Sequence, residues 1–237
     1  DASSYSDVEN DTTDADYQPT KFEQLIRNPS PAMVYLVEAK PKMVLNGFTL
    51  VSGKTYAYEL DITERGINID QVWDNGVELT EQSSVDDVES NAGSFYSDYY
   101  NRKIYVHASD STDPVNSMIE GAFWIYFTNR QDESGSVVYN ENNYLCLMSK
   151  DGIPDISLEV KPYYEGTAAT SSGTIEVLNG LVGGERYFDK RFAKYIWRNR
   201  PIILKGGGED FEYSEFEYLY TGIINDAQCN DRRCVFN

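Results

Sequence analysis

The sequence predicts an all-β protein: a β-sandwich domain followed by a β-barrel-like domain, with short helical excursions. Three observations carry that prediction. Turn signals of Gly, Asn, Asp and Pro recur roughly every ten residues, the spacing of a sandwich or barrel. Tyrosine outnumbers phenylalanine, 19 to 10, and favours strands and contact surfaces over helices. Apolar stretches are not separated by helical patterns as in βαβ folds, and no repeat of fixed period appears. The 237 residues, 41% hydrophobic and 25% charged, suffice for one large all-β domain or two modest ones.

Residues 1–20, "DASSYSDVENDTTDADYQPT", are acidic and hold no Lys or Arg. They lack the apolar residues needed to fold alone and read as an extended arm ordered against a partner. "KFEQLIRNPSP" holds one helical turn before Pro29 and Pro31 stop it. From Ala32 the pattern is β. "AMVYLVEAK" is an apolar strand, and "MVLNGFTLVSG" carries the Asn46-Gly47 pair of a tight hairpin. "TYAYELDI" alternates, with Tyr56, Tyr58 and Leu60 on one parity. "NIDQVWDNGVELT" is the strongest hairpin signal, with Val72 and Trp73 before Asp74-Asn75-Gly76 and Val77 and Leu79 after. "SSVDDVESNAGSFYSDYYNRK" reads as a loop or short helical turn, followed by the strands "KIYVHAS" and "GAFWIYFTN".

The polar, turn-rich "NRQDESGSVVYNENN", residues 129–143, marks the expected domain junction. This divides the chain into an arm over 1–20, a sandwich domain over 21–135 and a barrel-like domain over 136–237. Beyond the junction, "YLCLMSK", "DISLEVKPYY" and "TIEVLNG" read as strands. "FDKRFAKYIWRN" is the best candidate for a helix or irregular excursion, with Phe188, Phe192 and Tyr195 at spacings of four and three. "RPIILKGGG" is a strand running into a glycine turn, "EFEYLYTGIIND" is a strand broken at Gly222, and the terminal "CVFN" resembles a strand cut short.

The single histidine lies in "IYVHASDSTDP". His107, Ser109, Asp110 and Asp113 together suggest a catalytic or metal site. In an extended strand Ser109 falls about 6.6 Å from His107 along the backbone, whereas a nucleophile and its base need hydrogen-bond contact. "SDSTDP" fits a turn instead, with Ser and Asp side chains bonding backbone amides and Pro114 fixing φ. Asp110 and Asp113 lack the alternating ligands of a calcium loop. "LKGGGED" follows a strand but lacks the lysine and hydroxyl of a phosphate loop, so it reads as a hairpin turn. Paired carboxylates for glycoside hydrolysis are not singled out among the 39 acids. The expectation is of no enzyme, no cofactor and no metal.

A formal charge of −19 repels phosphate backbones and anionic lipid, which argues against nucleic acid and membrane as partners. The basic run is local: residues 186–205 hold Arg186, Lys190, Arg191, Lys194, Arg198, Arg200 and Lys205 against Asp189. Acids return over 209–217. Such polarity suits register between subunits, and Arg191, Lys194, Arg198 and Arg200 are the candidate inter-subunit contacts. Cys146 in "YLCLM" reads as a buried thiol. Cys229 and Cys234 could pair, but three cysteines make no disulfide framework, and a reducing site of synthesis is the simpler reading. Trp73, Trp124 and Trp197 leave open a sugar-binding face. No apolar run approaches the roughly 18 residues of a membrane span.

Two stretches carry a resemblance. "VWDNGVELTEQSSVDDVESNAGSFYSDYYNRKIYVHASDSTDPVNSMIEGAFWIYFTN" resembles a segment of bacteriophage tail proteins, in which a "V..nG..L" hairpin, a "gsfyyd" loop and an "lYVh.sDg.dP" strand recur. "SSGTIEVLNG…YFDKRFAKYIWRNRPIILKGGG…EFEYLYTGIIND" is similar to the β-barrel segment of phage tail-hub and baseplate proteins. Here "VLNGLVGGERYFD" departs from the usual "N.dG.fD" by inserting glycines between Asn179 and Phe188-Asp189. The resemblance implies a virion structural protein made in the bacterial host cytoplasm. It implies a trimer or hexamer whose neighbours are other tail proteins, joining tail tube to distal tail, with no active site to carry over. The alternative is a carbohydrate- or receptor-binding module at a tail tip, with a host surface glycan as partner.

Overall fold

The computed structural model describes residues 18–28, 32–64, 66–149, 155–159 and 170–237. The acidic arm lies outside them except for residues 18–20, as do Pro29 and Pro31. Along the chain the strands are β1 (Val34–Ala39), β2 (Lys42–Leu45), β3 (Thr49–Leu50), β4 (Tyr58–Asp61), β5 (Ile69–Asp74), β6 (Val77–Glu78), β7 (Thr80–Glu81), β8 (Ser94–Asp98), β9 (Lys103–His107), β10 (Ile119–Phe123) and β11 (Ile125–Thr128). They continue as β12 (Ser136–Tyr139), β13 (Asn142–Leu145), β14 (Asp155–Glu159), β15 (Thr170–Leu178), β16 (Leu181–Val182), β17 (Glu185–Arg186), β18 (Tyr195–Ile196), β19 (Arg200–Gly207), β20 (Glu217–Ile224), β21 (Ala227–Cys229) and β22 (Arg233–Phe236). The α-helices among the described residues are short: α1 (Lys21–Ile26) and α2 (Val85–Ser90). Thr20 and Glu23 form a reciprocal capping box at α1, and Ser84 caps α2. The protein is all-β.

Two five-stranded sheets, β18-β2-β10-β5-β6 and β3-β4-β9-β8-β7, face each other as a sandwich. Ile69, Val72 and Ile119 of the first meet Phe95, Ile104 and Val106 of the second. Burial of Ile104, Val106 and Ala108 follows the alternation read from the sequence. The β5–β6 hairpin turns on Asn75 (φ 50°) and Gly76 (φ 84°), the two left-handed positions that a tight hairpin requires. Asn46-Gly47 makes no hairpin. β2 pairs with β10 and β18, whereas β3 pairs with β4 in the opposite sheet. The pair carries the chain across the sandwich.

The largest sheet runs β12-β13-β11-β1-β19-β20. β1 is buried throughout, because it lies between β11 and β19 with both faces covered. Tyr35, Val37 and Ala39 face a core shared with Ile175, Phe188, Trp197 and Phe236. Val34 and Leu36 face Tyr139, Tyr144, Phe211 and Phe216. β14-β15-β22-β21 forms a further sheet. Strands from both sides of residue 135 share the largest sheet, and the polar stretch expected as a junction contains the β12–β13 hairpin. Among the described residues no sheet closes into the barrel-like domain expected of the second half: the sheets are open, with edge strands at both ends.

"FDKRFAKYIWRN" forms successive turns rather than a helix. Phe192 N donates to Phe188 O (2.9 Å) and Tyr195 N to Arg191 O (3.1 Å). The inserted glycines, Gly183 (φ 63°) and Gly184 (φ 88°), make the turn of the β16–β17 hairpin. That hairpin brings Asn179 back to Phe188, whose N–H donates to Asn179 Oδ1 (2.9 Å), while Asn179 Nδ2 donates to Asp189 (2.8 Å). Gly206 and Gly207 remain inside β19, not in a turn. A Cβ there would lie 2.6 Å from Leu219 and 2.7 Å from Phe216, so these side chains pack directly on the strand backbone.

Candidate functional site

His107 is 4% exposed, with both ring nitrogens engaged inside the chain. Nδ1 is 2.9 Å from Val88 O, and a carbonyl only accepts, so Nδ1 carries the proton. In the neutral ring Nε2, 2.9 Å from Ser111 Oγ, then accepts the Ser111 hydroxyl. The ring stacks on Tyr56, with centroids 5.0 Å apart and planes at 4°. Ser109 N donates to Asp74 Oδ2 (2.8 Å), away from the imidazole. Asp113 accepts from Val115 N (2.9 Å) and caps the turn Pro114–Asn116. Asp110 accepts from Thr112 N (3.0 Å) and Thr112 Oγ1 (2.7 Å), which hold its carboxyl below the usual range. The group that looks reactive in the sequence is a strand feeding a turn held by its own Asp side chains. Among the described residues, no three His, Cys, Asp or Glu side chains are grouped as metal ligands.

The basic segment divides. Arg191 and Lys194 lie 3.5 Å and 3.4 Å from the Glu64 carboxylate, which also accepts the Tyr195 hydroxyl. Arg191 donates to Tyr187 O (2.9 Å) and covers the Tyr187 ring. Arg200 donates to Lys40 O (2.9 Å) and stands over Trp73, and burial pulls its guanidinium below the usual value. Arg198 is exposed. Three of the four candidate inter-subunit residues therefore have partners within the chain. Sequence reasoning missed Glu64, which is about 130 residues from the cations it holds.

The tryptophans are similarly engaged. Trp197 is 4% exposed, between Phe236 and Phe192. Trp73 is half-buried with the Lys42 ammonium 3.5 Å from its ring centre, and half-buried Trp124 lies under Lys40. A further network was invisible in the sequence. Glu38 and Lys205, 6% and 2% exposed, pair at 3.0 Å across neighbouring strands of the largest sheet. Glu38 also accepts the hydroxyls of Tyr144 (2.7 Å) and Tyr213 (2.9 Å), and Lys205 bonds Tyr213. Cys229 and Cys234, opposite each other on β21 and β22, form a disulfide, which runs against the reducing reading; Cys146 is free. Burial raises the Cys146 thiol above its ordinary value, so it is a poor nucleophile.

β20 differs from all of these. It is one of the two edges of the largest sheet, opposite β12, and among the described residues its outer side pairs with nothing. Tyr218, Leu219 and Ile223 are 65%, 38% and 54% exposed. The strand is eight residues long and carries one formal charge, on Glu217. It has no Pro and no Lys, the residues that commonly blunt an exposed edge. Such an edge takes up another strand through backbone hydrogen bonds. No protein-family profile, curated protein or solved structure matches this chain.

Proposed function

We propose that the chain is a structural subunit of a phage tail, in the hub, baseplate or tail tip, and that it works by assembly rather than by chemistry. The observation that carries the assembly reading is the open β20 edge with its exposed Tyr218, Leu219 and Ile223. Strand addition there satisfies backbone groups that a lone edge leaves to water. The tail placement is supported by the resemblance of the two quoted stretches. The Cys229–Cys234 bond fits a protein that ends in a particle outside the reducing cytoplasm. Other tail proteins are the proposed neighbours. The glycan reading loses support because cations cover Trp73 and Trp124 and Trp197 lies in the core.

The placement is tested by labelling purified tails with an antibody against this chain and viewing them by negative-stain electron microscopy. Label confined to one tail end is expected. Tails that contain the chain nowhere would contradict the placement.

A further inference from the structure

We infer that β20 pairs with β20 of a second copy, antiparallel, about a two-fold axis through Thr221. This rests on the assembly reading and names the partner and register. The ladder to β19 sets Lys205 against Tyr218, Ile203 against Thr221 and Pro201 against Ile223, with a bulge at Leu219. The bulge removes one step of alternation, so Tyr218, Thr221 and Ile223 share the outer face. Tyr220, Gly222 and Ile224, opposite Leu204, Ile202 and Arg200, share the inner face.

A two-fold axis perpendicular to the sheet keeps each face on its own side, so opposed residues must belong to the same face. Centring on Thr221 satisfies this along the entire strand. Tyr218 opposes Ile223, Tyr220 opposes Gly222, Thr221 opposes itself and Glu217 opposes Ile224. These are favourable cross-strand partners: aromatic with β-branched, aromatic with glycine, and Thr with Thr. The two most exposed apolar residues of β20, Tyr218 and Ile223, cover each other.

Charge selects a second copy at this strand. In a chain of net charge −19, most self-contacts bring acids together, whereas here the one acid of each strand meets Ile224. The contact is isologous and closes at two copies. It fits a hexamer built of three such pairs and does not fit a lone trimer.

The test uses the full chain with Cys146→Ser, keeping the Cys229–Cys234 bond. Thr221→Cys places two thiols across the axis, where opposed Cβ atoms are about 4.5–5.5 Å apart, near disulfide reach. Under mild oxidation a covalent dimer is expected on a non-reducing gel. Its yield should exceed that of Val138→Cys, an exposed control on β12, by about tenfold, since only the axial position is held opposite itself. Adding Ile223→Lys should abolish the cross-link without altering the circular dichroism or the melting temperature. Equal cross-linking from Val138→Cys overturns the proposal. If Thr221→Cys gives no cross-link while the unmutated chain sediments as an oligomer, the β20 register is wrong and the assembly reading stands. If the unmutated chain also sediments as a monomer at every concentration, both fail.

Discussion

The turn after β9 and the outer edge of β20 form a natural contrast. The first has the residue types of chemistry: His107, Ser109, Asp110 and Asp113. The imidazole is stacked and bonded at both nitrogens, the Asp110 and Asp113 carboxylates accept bonds from their own turns, and the Ser109 backbone is tied to Asp74. The second, "EYLYTGII", has no reactive residue, yet its outer side lacks a partner among the described residues. Residue type advertises chemistry, but the groups left open decide what a surface does. On the proposed reading the closed region contributes stability and the open one association, so variants should divide the same way.

The largest effect belongs to the closed network beside β20. Lys205→Met leaves Glu38 buried without its cation, and stability should fall by about 3–5 kcal/mol in denaturant titrations. A loss under 1 kcal/mol would mean that the pair is solvated and that closure there is overstated. The same network responds to base. Burial first, then the Glu38 charge, push the Tyr144 phenol far above its ordinary value. Burial lowers Lys205, but Tyr213 and Glu38 outweigh it and hold it raised. A raised folded value gives stability that is complete below the free phenol's value of about 10 and is lost as pH climbs above it. Urea midpoints should therefore decline above about pH 10, and more shallowly in Tyr144→Phe.

His107→Ala comes next. It leaves Val88 O only the Asn91 N–H (3.2 Å), takes away the acceptor of the Ser111 hydroxyl and removes the Tyr56 stacking, which should cost about 1–3 kcal/mol. His107→Gln should cost less and leave the assembled mass unchanged. Loss of assembly in His107→Gln would break the contrast by making the closed region functional.

A smaller effect is expected at Glu89. Burial would raise its carboxyl, but the N–H groups of Thr55, Tyr56 and Ala57 hold it below its ordinary value. A lowered folded value gives stability present above the free carboxyl's value of about 4.3 and lost as pH falls through the folded value. Glu89→Gln should speed amide hydrogen exchange at Thr55 to Ala57 and flatten the local acid dependence. Unchanged exchange would show that α2 does not hold this loop.

Local features were legible and strand order was not. Asn75-Gly76 and the "SDSTDP" turn depend on neighbouring residues, and both appear as read. Asn46-Gly47 carries the same hairpin signal, but its flanking strands found partners far along the chain, β10 for one and β4 for the other. The basic segment was visible as charge, yet Glu64, which holds two of its cations, lies too far away in sequence to be linked to them. Glu38 lies inside an apolar stretch and Lys205 at the end of the basic segment, and only the pairing of β1 with β19 brings them together. That β20 is an edge depends on the whole sheet, and its bulge at Leu219 has no marker in the sequence.

Ile223→Lys should have the smallest effect on stability and the decisive effect on association, since the side chain is 54% exposed. Native mass spectrometry of the unmutated chain and of this variant tests the central claim most directly. An even-numbered oligomer that falls to half its mass or to the monomer in Ile223→Lys is the expected result. An unmutated chain that stays a monomer, or a variant that keeps the full oligomer mass, would contradict assembly through β20.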